Sequence, residues 1–350
     1  MITQHADAAD ALSRYDLEAI RAAYRRDGYV ILDGIFDFEN RLSLEELRVA
    51  CQAAVERTRR GEWPHRRVVG KSFPPYDPIS DDSWGVQHLL HPDLIVGGEG
   101  ENGADKQDSI FARLYGSSPL LDIAAALLDT EPDKMQLELF NLLINPACHA
   151  FALPWHRDDV RADVSSEEEE ARLSAPTYGV QWNAALYDDE CLFICPGSHA
   201  RLRTEAEKRA NAAKAPPATK VLEGQGVLDA KWQVDPPNTL QVKLKAGQTA
   251  FYSQRVLHRA SYLPSQIRAT LHGCYGGIRA DASLDSTDRA SEQLAFAERA
   301  RNVLQHNVEW MKEPSFGASL PPRLRPMWRN LLVMDAHAKG RQLGYSLENA

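Results

Sequence analysis

The sequence has no run of about 18 consecutive apolar residues, the least a membrane-spanning helix needs. Its first twenty residues, MITQHADAADALSRYDLEAI, have no apolar stretch of signal-peptide length. The closing SLENA is not a peroxisomal address. These absences make a cytoplasmic, membrane-free protein the expectation. Cysteine is sparse and odd in number, with Cys51, Cys148, Cys191, Cys195 and Cys274 spread over 350 residues. That argues against a disulfide framework, and the C-x3-C spacing of Cys191 and Cys195 has no second pair at zinc-finger spacing. Buried free thiols are the expectation. Basic residues are outnumbered, 40 Lys and Arg against 49 Asp and Glu, giving a net charge of −9. Nucleic-acid binding normally needs the opposite balance, although a local basic pocket on an acidic protein still suits an anionic small molecule. No internal repeat or low-complexity linker appears.

What is present is an ordinary globular composition, 43% apolar and 25% charged, in a chain long enough to bury a large core without staples. Helical spacing of Leu17, Ile20 and Tyr24 behind Asp16 predicts a first helix that Gly28 stops, followed by a strand at Tyr29–Leu32. Ser43 and Glu46 form a capping-box pattern at the head of a second helix, SLEELRVACQAAVERTRR. Residues 61–110 are rich in Pro, Gly, Asp and aromatics and predict irregular structure, and residues 119–129 a short helix. From residue 134 the pattern turns to β, in MQLELFNLLINP, YGVQWNAALYD, CLFICPGSH, TLQVKLKAGQTAFYS and RATLHGCYGG. Residues 201–216, charged and Ala-rich, predict a helix or a surface excursion, and residues 285–312 and 323–340 return to helical spacing. Helices, then antiparallel strands, then helices predict one α+β domain over 1–350 with a double-sheet core of jelly-roll kind.

The chemistry concentrates in Pro154-Trp155-His156-Arg157-Asp158. Residues i and i+2 of an extended segment project to one face, so His156 and Asp158 can reach the same ion. With His258, which follows the strand AGQTAFYSQ, they make a 2-His-1-carboxylate set that leaves positions open for further ligands, as non-haem iron(II) prefers. Ten residues on, Arg268 opens a strand and can neutralise the far carboxylate of a chelating dicarboxylate through two parallel hydrogen bonds. Each piece alone is weak, since a lone histidine is more often a surface or hydrogen-bonded residue. The ordered set is stronger.

That ordered set resembles the phytanoyl-CoA dioxygenase family of iron(II)- and 2-oxoglutarate-dependent oxygenases. The resemblance runs from about residue 25 to 277, through RRDGYVILDGIFD, PWHRDD, QWNAALYDDECLFICPGSH, AGQTAFYSQRVLHRAS and RATLHGCYG. It implies a double-stranded β-helix core, which the helical patterns read above flank on its N- and C-terminal sides. It implies Fe(II) on His156, Asp158 and His258, with 2-oxoglutarate held by Arg268 and O2 as the second co-substrate. Gln136 and Trp182 match family positions that line the co-substrate pocket. The intact Asp158 disfavours halogenation. The implied reaction oxidises an unactivated C–H bond of a small molecule, with release of succinate and CO2. Hydroxylation, desaturation and cyclisation are all open, as are acyl-CoA thioesters, amino-acid-like solutes and natural-product intermediates as substrates. Two departures stand out: Ala260 where many relatives carry Ser, and Asp189-Glu190 where many carry Asn-Gly. The helical extension from about 280 to 350 lies outside the resemblance.

Two other readings remain open at this level. The same ligands suit Zn²⁺ or Mn²⁺ in a cupin-type hydrolase or isomerase, and a non-catalytic binding protein can keep the fold; neither explains Arg268. Other conspicuous residues have bland readings. Pro196-Gly197-Ser198-His199 reads as a structural turn, His149 as a loop residue, and His272 as a satisfied structural histidine facing the barrel. Glu167–Glu170 reads as a solvated loop whose position also suits a lid. Arg66, Arg67 and Lys71 read as surface or as a docking point for an anion, and Trp84, His88 and Trp232 as candidate pocket walls.

Overall fold

The computed structural model describes residues 12–36, 42–70, 82–94, 109–215, 217–221, 234–278, 286–306 and 308–340. Lys71 and Trp232 lie outside the described residues. The first helix, α1 (Leu17–Asp27), starts where the Asp16 side chain accepts the Ala19 N–H at 3.0 Å. It ends at Gly28, whose φ of 81° is the left-handed conformation a helix stop demands. β1 (Tyr29–Leu32) follows, and then α2 (Leu44–Arg59), which carries the reciprocal Ser43–Glu46 capping box. The stretch expected to be irregular contains two strands, β2 (Arg66–Val68) and β3 (Ser83–Val86). Both are short, which is why the flanking turn residues hid them. Helices α3 (Ile110–Tyr115) and α4 (Ser118–Leu128) lead into β4 (Met135–Ile144) and β5 (His149–Ala152).

The acidic run is helical rather than a loop. It forms α5 (Ser166–Ser174), started by Ser165, whose hydroxyl accepts the Glu168 N–H. Next come β6 (Gly179–Ala185), β7 (Leu192–Cys195), α6 (Glu205–Ala212), β8 (Thr219–Lys220), β9 (Leu240–Gln241), β10 (Thr249–Ser253), β11 (Leu257–Tyr262) and β12 (Ala269–Gly277). The C-terminal extension is helical as expected, with α7 (Ser286–Leu304), α8 (Pro314–Ser319) and α9 (Leu324–Ala338). Among the described residues no helix is long and apolar enough to cross a membrane, and all five cysteines are free.

The strands form two antiparallel sheets, one ordered β1-β10-β6-β12-β4-β3-β2 and the other β8-β5-β11-β7-β9. This is the double-sheet core that the strand pattern predicts. Alternation along the strands divides the residues of the larger sheet between two environments. One face, carrying Trp182, Ala184, Phe140, Leu142, Leu271 and Tyr275, packs into the main apolar core with the α2, α4 and C-terminal helices. The other face turns toward the smaller sheet and carries polar side chains, including Gln181, Asn183, Asn141 and His272. The helices therefore stabilise the fold from outside and leave the space between the sheets for chemistry.

Candidate metal centre

His156 and His258 are tied to each other by backbone. Each N–H donates to the other's carbonyl at 3.0 Å in an isolated antiparallel bridge. Asp158 is placed by its own N–H, which donates to the Gln254 carbonyl at 3.0 Å. These constraints bring the ligand atoms of His156, Asp158 and His258 within 4.8 Å of one another. The His156 Nε2 lies 3.6 Å from one Asp158 carboxylate oxygen, and the His258 Nε2 lies 3.7 Å from the other. Each imidazole sets its Nδ1 against a backbone carbonyl, Pro154 at 2.8 Å for His156 and Val256 at 2.9 Å for His258. A carbonyl only accepts, so Nδ1 carries the hydrogen and Nε2 presents its lone pair to the shared point. Burial, then the neighbouring His156, lowers the His258 pKa to about 4, which keeps that ring neutral. Burial acts to raise the Asp158 pKa, but His258, His156 and the Gln181 amide outweigh it and hold the group ionised. Two imidazoles and one carboxylate facing one point are a divalent-metal donor set.

The surroundings hold this geometry from behind. Gln181 donates to Asp158 and accepts from the Tyr252 hydroxyl at 3.4 Å. Arg157, between two of the three ligands in sequence, points the other way. It is buried against Glu169 and donates to the Ser198 and Arg201 carbonyls at 2.6 and 3.0 Å. The Ser198 hydroxyl accepts the Leu257 N–H at 2.8 Å. The P-G-S-H turn thus buttresses both ligand segments at once, a role that a reading of turn chemistry alone does not reveal. Asp235 binds the Trp155 indole at 2.9 Å and Arg259 at 2.7 and 2.5 Å, bracing the neighbours of His156 and His258.

Arg268 is buried beside β12. Its Nε donates to Asp189 at 2.9 Å and to Thr270 at 3.3 Å, and its guanidinium lies over the Tyr262 ring at 4.7 Å. Burial acts to lower the arginine pKa, yet the Asp189 carboxylate reverses this and the net shift is upward. One nitrogen, Nη1, is buried with no partner. Such an orphaned donor fits an incoming carboxylate.

The two remaining pocket expectations fare differently. Trp182 projects from the opposite face of β6, fully buried among Phe140, Tyr115 and Tyr275, and so packs the helical core instead of lining the pocket. Strand alternation gives the inward positions to its neighbours Gln181 and Asn183. Gln136 does face inward, but it pairs in register with Gly276, whereas Arg268 precedes Ala269 at the other end of β12. Eight residues along a strand span about 26 Å, so one small dicarboxylate cannot touch both. Gln136 instead donates to Glu138 at 3.2 Å, and Glu138 holds Arg299 of α7 through both carboxylate oxygens. Arg299 also reaches the Gln254 side chain, in the residue whose carbonyl fixes Asp158. Gly179 and Gly276, paired on β6 and β12, leave the room this guanidinium fills. The C-terminal extension therefore closes one end of the barrel, which nothing in its sequence announces.

Other expectations are corrected for His149, Arg66 and Glu169 and met for His272. His149 lies on β5 and bonds Asp82 at 2.5 Å, so it is a strand residue in a polar cluster with Cys148 rather than a loop residue. Arg66 is buried and donates to Ser83, not a surface group. Glu169 is buried within its acidic run. His272 faces the barrel with its Nδ1 2.8 Å from the Asn183 amide oxygen, a satisfied histidine.

Comparison with known proteins bears on the whole arrangement. The family model of phytanoyl-CoA dioxygenase (PhyH) matches residues 24–268. No curated protein matches in sequence. Among solved structures the chain is similar to AviO1 from Streptomyces viridochromogenes Tue57, at 19% identity over 77% of this chain and 97% of that one, with a TM-score of 0.43. It is similar to EctD from S. alaskensis with 2-oxoglutarate and 5-hydroxyectoine, at 17% identity over 73% and 74% and a TM-score of 0.43. It is also similar to the epimerase SnoN in complex with Fe3+, alpha ketoglutarate and nogalamycin RO, at 18% identity over 75% and 83% and a TM-score of 0.39.

Proposed function

Because the chain belongs to the phytanoyl-CoA dioxygenase family, we propose that it is an Fe(II)- and 2-oxoglutarate-dependent oxygenase that oxidises an unactivated C–H bond of a small molecule. The observation that carries this reading is the convergence of two Nε2 lone pairs and one carboxylate on a single point, with both Nδ1 positions already satisfied. Iron(II) bound there supplies oxygen activation, coupling the decarboxylation of 2-oxoglutarate to succinate and CO2 with oxidation of the substrate. His156, Asp158 and His258 hold the ion and leave positions open for co-substrate and oxygen. Gln181 and Tyr252 keep the Asp158 carboxylate from rotating away. The free Nη1 of Arg268 takes the far carboxylate of 2-oxoglutarate, while Asp189 fixes the guanidinium plane. Arg299 and α7 exclude bulk water from the opposite end of the barrel. Hydroxylation is the simplest outcome, and desaturation or cyclisation need no different protein groups.

The test is to add iron(II) and 2-oxoglutarate anaerobically and record the visible charge-transfer band of the chelate. The band should form in the wild type and vanish in His258→Ala. In Arg268→Ala it should need about ten- to a hundredfold more 2-oxoglutarate, the scale of a lost hydrogen bond to a charged group. Tight iron binding with no band would refute the 2-oxoglutarate assignment and favour hydrolase or isomerase chemistry.

A further inference from the structure

Three buried nitrogens near one edge of the barrel have no hydrogen-bond partner: Arg67 Nε, His88 Nδ1 and Trp310 Nε1. They come from β2, from the turn after β3, and from the C-terminal extension beyond the family match, yet the His88 ring lies 6.0 Å from Trp310 and feels the Arg67 charge. Arg67 pairs in register with Gly85, Gly85 with Leu143, and Leu143 with Thr270. Directly paired residues share a face, and Thr270 lies on the inner one, where it meets Arg268 and Asp189. Arg67 is therefore aimed between the sheets. Its stem lies along Gly85, where a β-carbon would meet three Arg67 side-chain carbons at ordinary contact distance, 3.4 to 3.5 Å. Its guanidinium lies over the Trp84 ring at 5.2 Å.

His65 shares the Arg67 face two residues earlier and packs edge-on to His88 at 4.9 Å. His91 and Trp310 extend the same wall, 4.7 Å apart, with Trp310 6.0 Å from His88. His88 itself is held at a φ of 64°, its N–H bonded to the Asn141 amide oxygen at 3.1 Å. A non-glycine residue in that region costs on the order of 1–3 kcal/mol and persists where its surroundings enforce it. Asn141 is the register partner of His272, which bonds Asn183, so the cluster adjoins the inner face that leads to Gln181 and Asp158.

The polar balance of this wall is lopsided. Arg67 and Trp310 can only donate. Arg67 makes no hydrogen bond or ion pair among the described residues. Each buried donor left without an acceptor costs about 1–3 kcal/mol. An acceptor-rich, negatively charged group cancels that deficit, and the edge-to-face and tilted imidazole and indole rings beside it suit a flat apolar body.

Building on the oxygenase reading, we propose that Arg67, with the Trp310 indole N–H and His88, receives the carboxylate of an aromatic carboxylic-acid substrate, holding the acid end at the barrel edge while the rest reaches toward the metal ligands. The probe is benzoate against benzamide, with binding read by calorimetry on the full chain loaded anaerobically with iron(II) and 2-oxoglutarate. Wild type should bind benzoate saturably and benzamide far more weakly. Arg67→Gln should weaken benzoate about ten- to a hundredfold and leave the 2-oxoglutarate band intact. If Arg67→Gln does not fold, Trp310→Phe, which removes only the N–H, should weaken benzoate and not benzamide. The proposal is overturned if wild type shows no benzoate binding, if benzamide binds equally well, or if the variants bind benzoate as wild type does. Loss of the chelate band in Arg67→Gln overturns it too, by assigning Arg67 to the co-substrate. A missing band in the wild type, with benzoate binding still dependent on Arg67, would defeat the oxygenase reading and leave the anion site standing.

Discussion

Replacing Glu169 by alanine should destabilise the protein far more than the same change at Glu168, one residue away in the same acidic run. The Glu168 carboxylate is half-exposed and pairs with Arg172 across one helical turn at 2.8 Å. An exposed i,i+4 pair contributes about 0.3–0.5 kcal/mol. Glu169 is 2% exposed and sits between two buried guanidiniums, bonded to Arg157 and 3.3 Å from Arg203, whose backbone N–H it also accepts at 3.1 Å. Removing one partner from a buried pair costs about 3–5 kcal/mol, because the remaining charge stays behind in a poor solvent. Arg157 and Arg203 keep carbonyl partners at Ser198, Arg201, Val160 and Arg161, which places the expected loss near the lower end, about 3 kcal/mol. Urea unfolding of the two variants in parallel, followed by circular dichroism, reads the difference directly. Since Arg157 lies between His156 and Asp158, iron(II) affinity should fall in Glu169→Ala and not in Glu168→Ala. A Glu169→Ala loss within about 1 kcal/mol of the Glu168→Ala value would refute the argument.

Two further outcomes follow from burial. His88 is pushed down to about 3, first by burial and then by His65, His306, His91 and Arg67. A neutral native imidazole against an unfolded value near 6.5 contributes stability that is full above about 6.5 and declines as pH falls toward 3. Between about pH 6.5 and 5 it accounts for about 2 kcal/mol; other buried histidines add to the slope of denaturation curves in this window, and His88→Phe should remove its share, an unchanged slope counting against the assignment. Trp182→Phe should leave 2-oxoglutarate binding unchanged, since that side chain faces the helices, whereas Trp182→Ala should cost about 3–5 kcal/mol; a Phe variant with impaired co-substrate titration would return Trp182 to the pocket.

Much of the site is legible in the sequence because its chemistry is local. H-x-D places two ligands on one face within three residues, and the strand before His258 and the arginine after it are separated by short, readable turns. The long elements are legible for the same reason, since α1 and α2 carry their caps within four residues. What stays hidden depends on alternation and on distance along the chain. Trp182 and Gln181 are adjacent, and a shift of one residue decides which faces the metal ligands. Glu169 looks like its neighbours until Arg157 and Arg203 fold against it from 12 and 34 residues away. Arg299 meets Glu138 across 161 residues, and no spacing rule reaches that far.

The bridge between His156 and His258 also sets an order of events during synthesis. Asp158 and His258 are 100 residues apart, about 5–20 s of translation. For that interval the growing chain holds His156 and Asp158 without His258. The pairing of β1 with β10, Tyr29 against Tyr252, must likewise wait for late residues. Any ion held jointly by His156, Asp158 and His258 would therefore have to await the finished barrel.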